Sequence, residues 1–201
     1  MTDTSKATRL TPVQQRIIQQ LQSQTINKGE LLLSPGETCR KVWYVKSGLL
    51  RAYYIAHRGR QHTTWLMGKY DVMISIYSFF TQRPAQEYIE ALQDSVLQSL
   101  TWAQLQSYYA DFREGNLVGR ILTERYYMQS EERALFLRTR SPEERYLALL
   151  EKHPDIDQQA TTEVIASYLG VTRETYSKTR SQHLRRQQQA SSIHPKNIQH
   201  I

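Results

Sequence analysis

The texture of the sequence changes at Leu100, and that change demands two kinds of structure in one chain. Between Glu30 and Leu100, short apolar or alternating runs are separated by turn residues. Leu31-Leu32-Leu33 is followed by Pro35-Gly36, Val42-Trp43-Tyr44-Val45 by Ser47-Gly48, Leu49 to Ile55 by Arg58-Gly59, and Thr63 to Met67 by Gly68. Tyr88-Ile89 and Val96 to Leu100 complete the set. Strands recurring at roughly ten-residue intervals predict an antiparallel sandwich, barrel or jelly roll. Beyond Leu100 the apolar residues recur at helical spacing. Thr101 can cap a helix from Trp102 to Tyr109, and no proline interrupts Gly115 to Thr139. Ser141-Pro142 ends that long segment and opens Glu143 to Lys152, which His153-Pro154-Asp155 closes; Thr162 to Leu169 and Thr172 to Gln187 follow. Ahead of the strands, Thr11-Pro12 opens a short helix with Val13, Ile17 and Leu21 on one face. The fold class read from this order is α+β.

Size and charge narrow the function. The 201 residues have room for one domain of about 130 residues and a smaller second one. Basic residues number 26 against 19 acidic, a net charge of +7, so a polyanionic partner is in prospect. No apolar run approaches the ~20 residues that span a bilayer, which predicts no membrane partner. The start, Met1-Thr2-Asp3-Thr4-Ser5, lacks the basic-then-apolar pattern of a signal peptide, and the expected location is the cytoplasm. The single cysteine, Cys39, excludes an internal disulfide, a four-cysteine iron–sulfur cluster and a finger-type zinc site.

The most specific local signal lies between Thr161 and Lys178. A helix-turn-helix needs a small residue where its two helices touch, and Ala166 supplies it. Four positions later it needs a residue that tolerates a left-handed backbone, which Gly170 does. Ile165, Leu169, Val171 and Tyr176 then fall on the inward faces. Thr172 caps the second helix, and Arg173, Glu174, Ser177 and Lys178 project from its other side. Arginine can read guanine O6 and N7, and glutamate can accept from cytosine N4, in a major groove. The alternative is a helical hairpin with solvated charges, but six basic residues and one acid from Arg173 onward favour nucleic acid.

The stretch from Ile165 to Lys178, with its Arg173-Glu174-Thr175 triplet, resembles the DNA-reading motif of Crp/Fnr-type transcription regulators. Gly29-Glu30, Pro35-Gly36-Glu37, Tyr44-Val45 and Ser47-Gly48-Leu49 resemble the first turns of that family's cyclic-nucleotide-binding-type roll. The likeness covers roughly residues 25 to 185. It implies an N-terminal antiparallel β-roll (a jelly roll like a cyclic-nucleotide-binding domain) over residues 1–112. A dimerisation helix over 113–139 and a helix-turn-helix domain over 140–201 would follow. The implied function is a dimeric regulator, not an enzyme, reading an inverted repeat in double-stranded DNA through the helix starting at Thr172. RNA polymerase and a small-molecule effector are candidate further partners. The implied DNA contacts are Thr161, Thr162, Thr172, Arg173, Glu174, Ser177, Lys178 and Arg180, with Arg185 and Arg186 as phosphate contacts or solvated charge. Lys178 stands where the family often has arginine, so it keeps the charge and loses the bidentate fork. The family's β-hairpin wing should be reduced or absent, because Gln187-Gln188-Gln189, Ser191-Ser192 and Pro195 offer no alternating strand. The tail should be disordered or extend the recognition helix.

The long helix has a stripe of Leu117, Ile121, Met128 and Leu135, interrupted by Glu124 and Glu131, which fits either packing on the roll or pairing with a twin. The effector is unknown. In relatives that bind cyclic AMP, a phosphate cassette supplies a Gly-Glu pair and then an Arg-Ser pair. Aligning Tyr88-Ile89-Glu90-Ala91 with the strand after the cassette puts Ser75 at the glutamate and Ala85-Gln86 at the Arg-Ser pair. A buried phosphodiester without its arginine is an unpaired anion, and Glu87 and Glu90 nearby make matters worse. Arg83, two positions early, is a poor substitute beside Pro84. Cyclic AMP is therefore not expected, and no cofactor is assigned. A cyclic-nucleotide-responsive regulator remains one alternative. A cupin-like metal-dependent enzyme is the other, but His57 and His62 flank a turn and make a poor ligand set, so no metal and no catalytic residue is assigned. Tyr44, Tyr53, Tyr54, Tyr70, Tyr77 and Tyr88 are read as sheet packing, with an aromatic ligand cavity as the alternative.

Overall fold

The structure, a computed structural model, describes residues 11–193. The chain divides into two compact units: residues up to Ala52 with Met67–Ser130, and Tyr53–Leu66 with the chain from Glu131 onward.

In the first unit, helix α1 (Pro12–Gln20) starts at Thr11. The Thr11 hydroxyl accepts the Gln14 N–H, and the Gln14 side chain accepts the Thr11 N–H in return. That reciprocal cap, with proline at the first helical position, suffices to nucleate a short helix. The next element, β1 (Gln22–Ile26), was not anticipated in the sequence: four of its five residues are polar, and only Ile26 is buried. It is an edge strand held by its ladder to β8, from Gln22 opposite Ser99 to Ile26 opposite Ser95. Backbone pairing, not side-chain pattern, makes it a strand.

The remaining strands are β2 (Leu31–Leu33), β3 (Lys41–Ser47), β4 (Leu50–Ile55), β5 (Gln61–Met67), β6 (Val72–Met73), β7 (Tyr88–Ala91) and β8 (Ser95–Thr101). They form two four-stranded sheets, ordered β1-β8-β3-β6 and β2-β7-β4-β5. The pairings β1–β8, β3–β8, β3–β6 and β2–β7 are antiparallel. Trp43 and Val45 from β3, Ile89 and Ala91 from β7, and Leu97 from β8 alternate into the core, the period of two that the short runs demanded. Gly48 turns β3 into β4 with a positive φ of 96°, and a Cβ there would lie 2.0 Å from the Ser95 Oγ. Only glycine fits this crossing.

Helix α2 (Ile76–Thr81) and helix α3 (Trp102–Asp111) complete the unit together with the first part of helix α4 (Arg113–Thr139). A Thr101–Gln104 capping box starts α3, as its sequence suggested. The Tyr108 hydroxyl then donates to Gln20 Oε1 at 2.7 Å, pinning α3 to the end of α1.

The second unit contains the end of β4, the β4–β5 turn and β5 up to Leu66, the end of α4 and four more helices: α5 (Pro142–Lys152), α6 (Ile156–Gln159), α7 (Thr162–Leu169) and α8 (Arg173–Ile193). Tyr146, Leu149, Ile156, Val164, Ile165, Ala166, Leu169 and Tyr176 are its buried core. One expectation needs correction: no helix is expected between Asp155 and Thr161, yet α6 occupies part of that stretch and buries Ile156 completely. The last helix passes Gln187 and runs to Ile193, the extension that is one of the two alternatives for the tail. No strand follows it among the described residues; Pro195 and the end of the tail lie outside them.

Candidate nucleic-acid interface

The helix-turn-helix is built by its caps. Thr161 Oγ1 accepts the Val164 N–H at 3.4 Å to start α7. Gly170, at φ 66°, ends it, and the Val171 N–H returns to the Ala166 carbonyl at 3.0 Å. This is the left-handed stop that leaves the chain pointing into a second helix. Thr172 Oγ1 then accepts the Thr175 N–H at 3.2 Å to start α8. Ile165, Leu169 and Tyr176 are buried and Val171 is half-buried, the inward set expected from the sequence. Thr161, Thr162, Thr172, Arg173, Glu174, Ser177, Lys178 and Arg180 are all exposed. On α8, Arg173, Ser177 and Arg180 follow one another at i, i+4 and i+7, with Glu174 and Lys178 beside them, while Tyr176 and Thr179 are buried.

A polar hub that the sequence reading missed holds α8 in place. Asp157, in α6, accepts the Tyr146 hydroxyl at 2.7 Å on Oδ2 and the Tyr176 hydroxyl on Oδ1. Arg180 Nε adds a charged bond to Oδ2 at 2.6 Å. Burial works to raise the Asp157 pKa, but the bonds from Tyr176, Tyr146 and Arg180 outweigh it and hold the carboxyl below its usual range. Burial and the facing carboxylate push both tyrosines well above theirs. His183 packs edge-on against Tyr146 at 5.7 Å. No local pattern marks Asp157, because its partners are contributed by two other helices, α5 and α8.

The hub also changes the picture of the basic residues. Arg180, expected among the DNA contacts, sits at the edge of the inward face and is held by Asp157. Arg186 pairs with Glu143 of α5. Arg173 pairs with Glu163, on the exposed side of α7. Glu163 is held below the usual carboxylate range by its own backbone N–H, then by Arg173 and Thr161, so it is charged at neutral pH. Lys178 and Arg185 make no ion pair among the described residues. The inner side of α7 is seated on the β4–β5 turn: Ser167 Oγ accepts the Thr63 N–H at 2.7 Å and donates to the Gln61 carbonyl at 3.0 Å.

The segment aligned with a phosphate cassette is closed on itself. Ser75 and Ala85 are buried, Gln86 and Arg83 exposed. Ser78 Oγ accepts the Cys39 N–H at 2.8 Å and donates to the Arg83 carbonyl at 2.6 Å. Glu90, counted above as a negative charge hostile to phosphate, is paired: Arg51 Nη2 lies 2.8 Å from its Oε2. That pairing commits the buried arginine of this sheet to a carboxylate. An open cleft of about 520 Å³ lies elsewhere, between β1, β2 and the start of β3, and takes no lining residue from 75–87. Of the six tyrosines of the roll, Tyr53 is buried, whereas Tyr70 and Tyr77 are 61% and 56% exposed. His57 lies in the exposed β4–β5 turn and His62 Nε2 accepts from Arg60, and the described residues hold no metal-binding cluster of His, Cys, Asp or Glu. No helix among the described residues is long and apolar enough to cross a membrane.

Residues 23–112 match the cyclic nucleotide-binding domain family. No curated protein matches the sequence. Among solved structures, FixK2 from Bradyrhizobium japonicum is similar at 20% identity and a TM-score of 0.69, over 81% of this chain and 83% of that one. A protein of the crp/fnr family from Eubacterium rectale, assigned as a transcriptional regulator, shares 21% identity at a TM-score of 0.65, over 85% of this chain and 81% of that one. The c-di-GMP-responsive global regulator CLP of Xanthomonas campestris shares 15% identity at a TM-score of 0.62, over 92% and 95%. Residues 23–112 are thus a domain of the cyclic nucleotide-binding family, in a chain with the fold of the Crp/Fnr transcription regulators.

Proposed function

We propose that the protein is a homodimeric, sequence-specific transcription regulator that reads an inverted repeat in double-stranded DNA through α8. The observation that carries this reading is the exposed array of Arg173, Glu174, Ser177 and Lys178 on the first two turns of a helix capped by Thr172. Thr161 and Thr162 at the start of α7 are exposed as well and offer hydroxyl and N–H contacts to phosphate. Dimerisation uses α4, where Leu117, Ile121, Met128 and Leu135 are each about half exposed in the single chain. Its three working parts lie within residues 1–112, 113–139 and 140–201. It is not an enzyme, it works in the cytoplasm, and RNA polymerase is a further partner. No effector is assigned; a cyclic nucleotide is disfavoured because Ala85-Gln86 stands where the phosphate arginine is needed.

Selection of bound sequences from random duplexes tests the reading. Arg173→Ala should cost roughly 1–3 kcal/mol on the selected site and flatten preference at one guanine of each half-site. Arg185 is twelve positions further along, or about 18 Å at 1.5 Å per residue, beyond reach of the same bases. Arg185→Ala should weaken all sequences alike and reduce the salt slope by about one. Equal, sequence-blind losses for both variants would leave only a basic helix that binds any polyanion.

Glu163 makes a second expectation measurable. Its carboxylate faces Arg173 and the approaching phosphates, so DNA must displace it from the guanidinium. Glu163→Gln should raise affinity for specific and scrambled duplexes alike, by about threefold at low salt, because it removes repulsion without adding a base contact. An unchanged affinity in filter binding at two salt concentrations would show that the ion pair does not restrain Arg173.

A further inference from the structure

The joint between α4 and the helix-turn-helix is made by two arginines that donate to backbone carbonyls, and it has the marks of a device for fixing an angle. Arg145, in α5, caps three carbonyls from two helix ends with one guanidinium. Its Nη1 donates to Leu169 O at 2.8 Å, Nη2 to Leu137 O at 2.8 Å and Nε to Arg140 O at 2.9 Å. Leu137 is in the last turn of α4, Arg140 immediately follows it, and Leu169 is the last residue of α7, so these carbonyls lack helical partners of their own. A planar fork that satisfies three acceptors at once leaves little freedom between the two ends.

The second arginine approaches the same turn from the α4 side. Arg133 Nη2 donates to the Tyr168 carbonyl, and the guanidinium lies 3.8 Å from the Tyr168 ring centre and 5.1 Å from that of Phe136. Its Nε and Nη1 are buried without a hydrogen-bond partner among the described residues. Burying a guanidinium so incompletely satisfied is costly, and an apolar side chain would fill the space more cheaply. Gly170 completes the seat: a Cβ on it would lie 3.0 Å from Leu137 Cδ2 and 3.4 Å from Arg145 Nη1, so its absence admits both neighbours.

We infer that Arg133 and Arg145 are positioning residues that lock the helix-turn-helix to the end of α4 and thereby set which half-site spacing the dimer accepts. This rests on the regulator reading above. Neither arginine touches a base, and neither changes which half-site is read. A spacer longer or shorter by one base pair rotates one half-site about 34° round the duplex axis. A rigid joint refuses that rotation, whereas a joint held only by apolar contacts tolerates it.

The test uses the full chain and synthetic duplexes carrying two copies of the selected half-site with spacers of increasing length. Wild-type protein should prefer one spacer about tenfold over its immediate neighbours, and the Arg133→Met, Arg145→Lys double variant less than about threefold, with the same half-site bases selected. Lysine keeps the charge and loses the three-way fork. If the double variant fails to fold by circular dichroism, Arg145→Lys alone carries the comparison. A variant that melts lower yet keeps the wild-type spacer preference would overturn the inference and leave the arginines as mere stabilisers. Wild-type protein that binds half-sites without preferring a spacer would overturn it too. Selection of no half-site at all would instead remove the regulator reading itself.

Discussion

Asp157→Ala should lower the stability of the unit that contains α8 by about 2–4 kcal/mol, measured by urea unfolding of the full chain. Three groups lose their acceptor at once: the Tyr146 and Tyr176 hydroxyls and Arg180 Nε. Tyr146 and Tyr176 are 1% and 3% exposed, so water does not replace the carboxylate without disturbing the core. The cost is that of unpaired buried donors, larger than the value of any one bond. Asp157→Asn, which keeps the shape and one acceptor, should lose about half as much. The pH dependence follows from the lowered Asp157 pKa. In the unfolded chain the carboxyl takes up its proton near the ordinary aspartate value of about 4, and in the folded chain only below that. Its contribution is therefore fully present above the unfolded value and is lost as pH falls through the folded one. Wild type and Asp157→Asn should accordingly converge in stability as the solution is acidified below about pH 4. A difference that persists unchanged there would show that the carboxylate charge does not hold the hub.

The second large effect is on assembly. Ile121→Glu with Met128→Glu should leave the single chain folded, because both side chains are already more than half exposed, at 52% and 57%. In a dimer the same two positions would face their twin, and four buried carboxylates would have no partners. Sedimentation should then report a monomer of 23.6 kDa at concentrations where the wild type is a dimer. Affinity for an inverted repeat should fall by about 10²–10⁴, because two linked half-sites become two independent events. Binding to an isolated half-site should be nearly unchanged. A wild-type chain that sediments at 23.6 kDa with and without the repeat would overturn the dimer.

What could be read from the sequence alone follows a simple division. Elements whose identity is set by neighbours in the chain were legible. The two-residue period of Trp43, Val45, Ile89 and Leu97 marked the sheets, and Thr101 and Ser141-Pro142 marked helix starts. The Ala166–Gly170–Thr172 spacing marked the helix-turn-helix, whose caps depend on residues only three or four apart. That spacing also put Arg173, Glu174, Ser177 and Lys178 on one exposed stretch.

Elements that exist because of distant partners were not legible. β1 is a strand because β8 supplies its hydrogen bonds, and nothing in Gln22-Ser23-Gln24-Thr25 announces it. α6 is a single turn, too short to be stable by itself, and it persists because Ile156 is buried and Asp157 is engaged by α5 and α8. The fate of individual charges belongs to the same class. On sequence grounds Arg180 and Lys178 are alike, two basic residues on the same helix; the fold pairs the first with Asp157 and leaves the second without an ion pair among the described residues. Glu90 reads as an uncompensated acid until β4 brings Arg51 against it, and nothing in the sequence singles out Arg133 and Arg145 until the ends of α4 and α7 meet. Periodicity and caps are local, acting over a helical turn or a strand pair, so the chain alone determined the elements built on them and the face that α8 exposes. Which charges are spent inside the protein depends on groups far apart in the chain, 39 positions in the Arg51–Glu90 pair, and only the tertiary structure decided it.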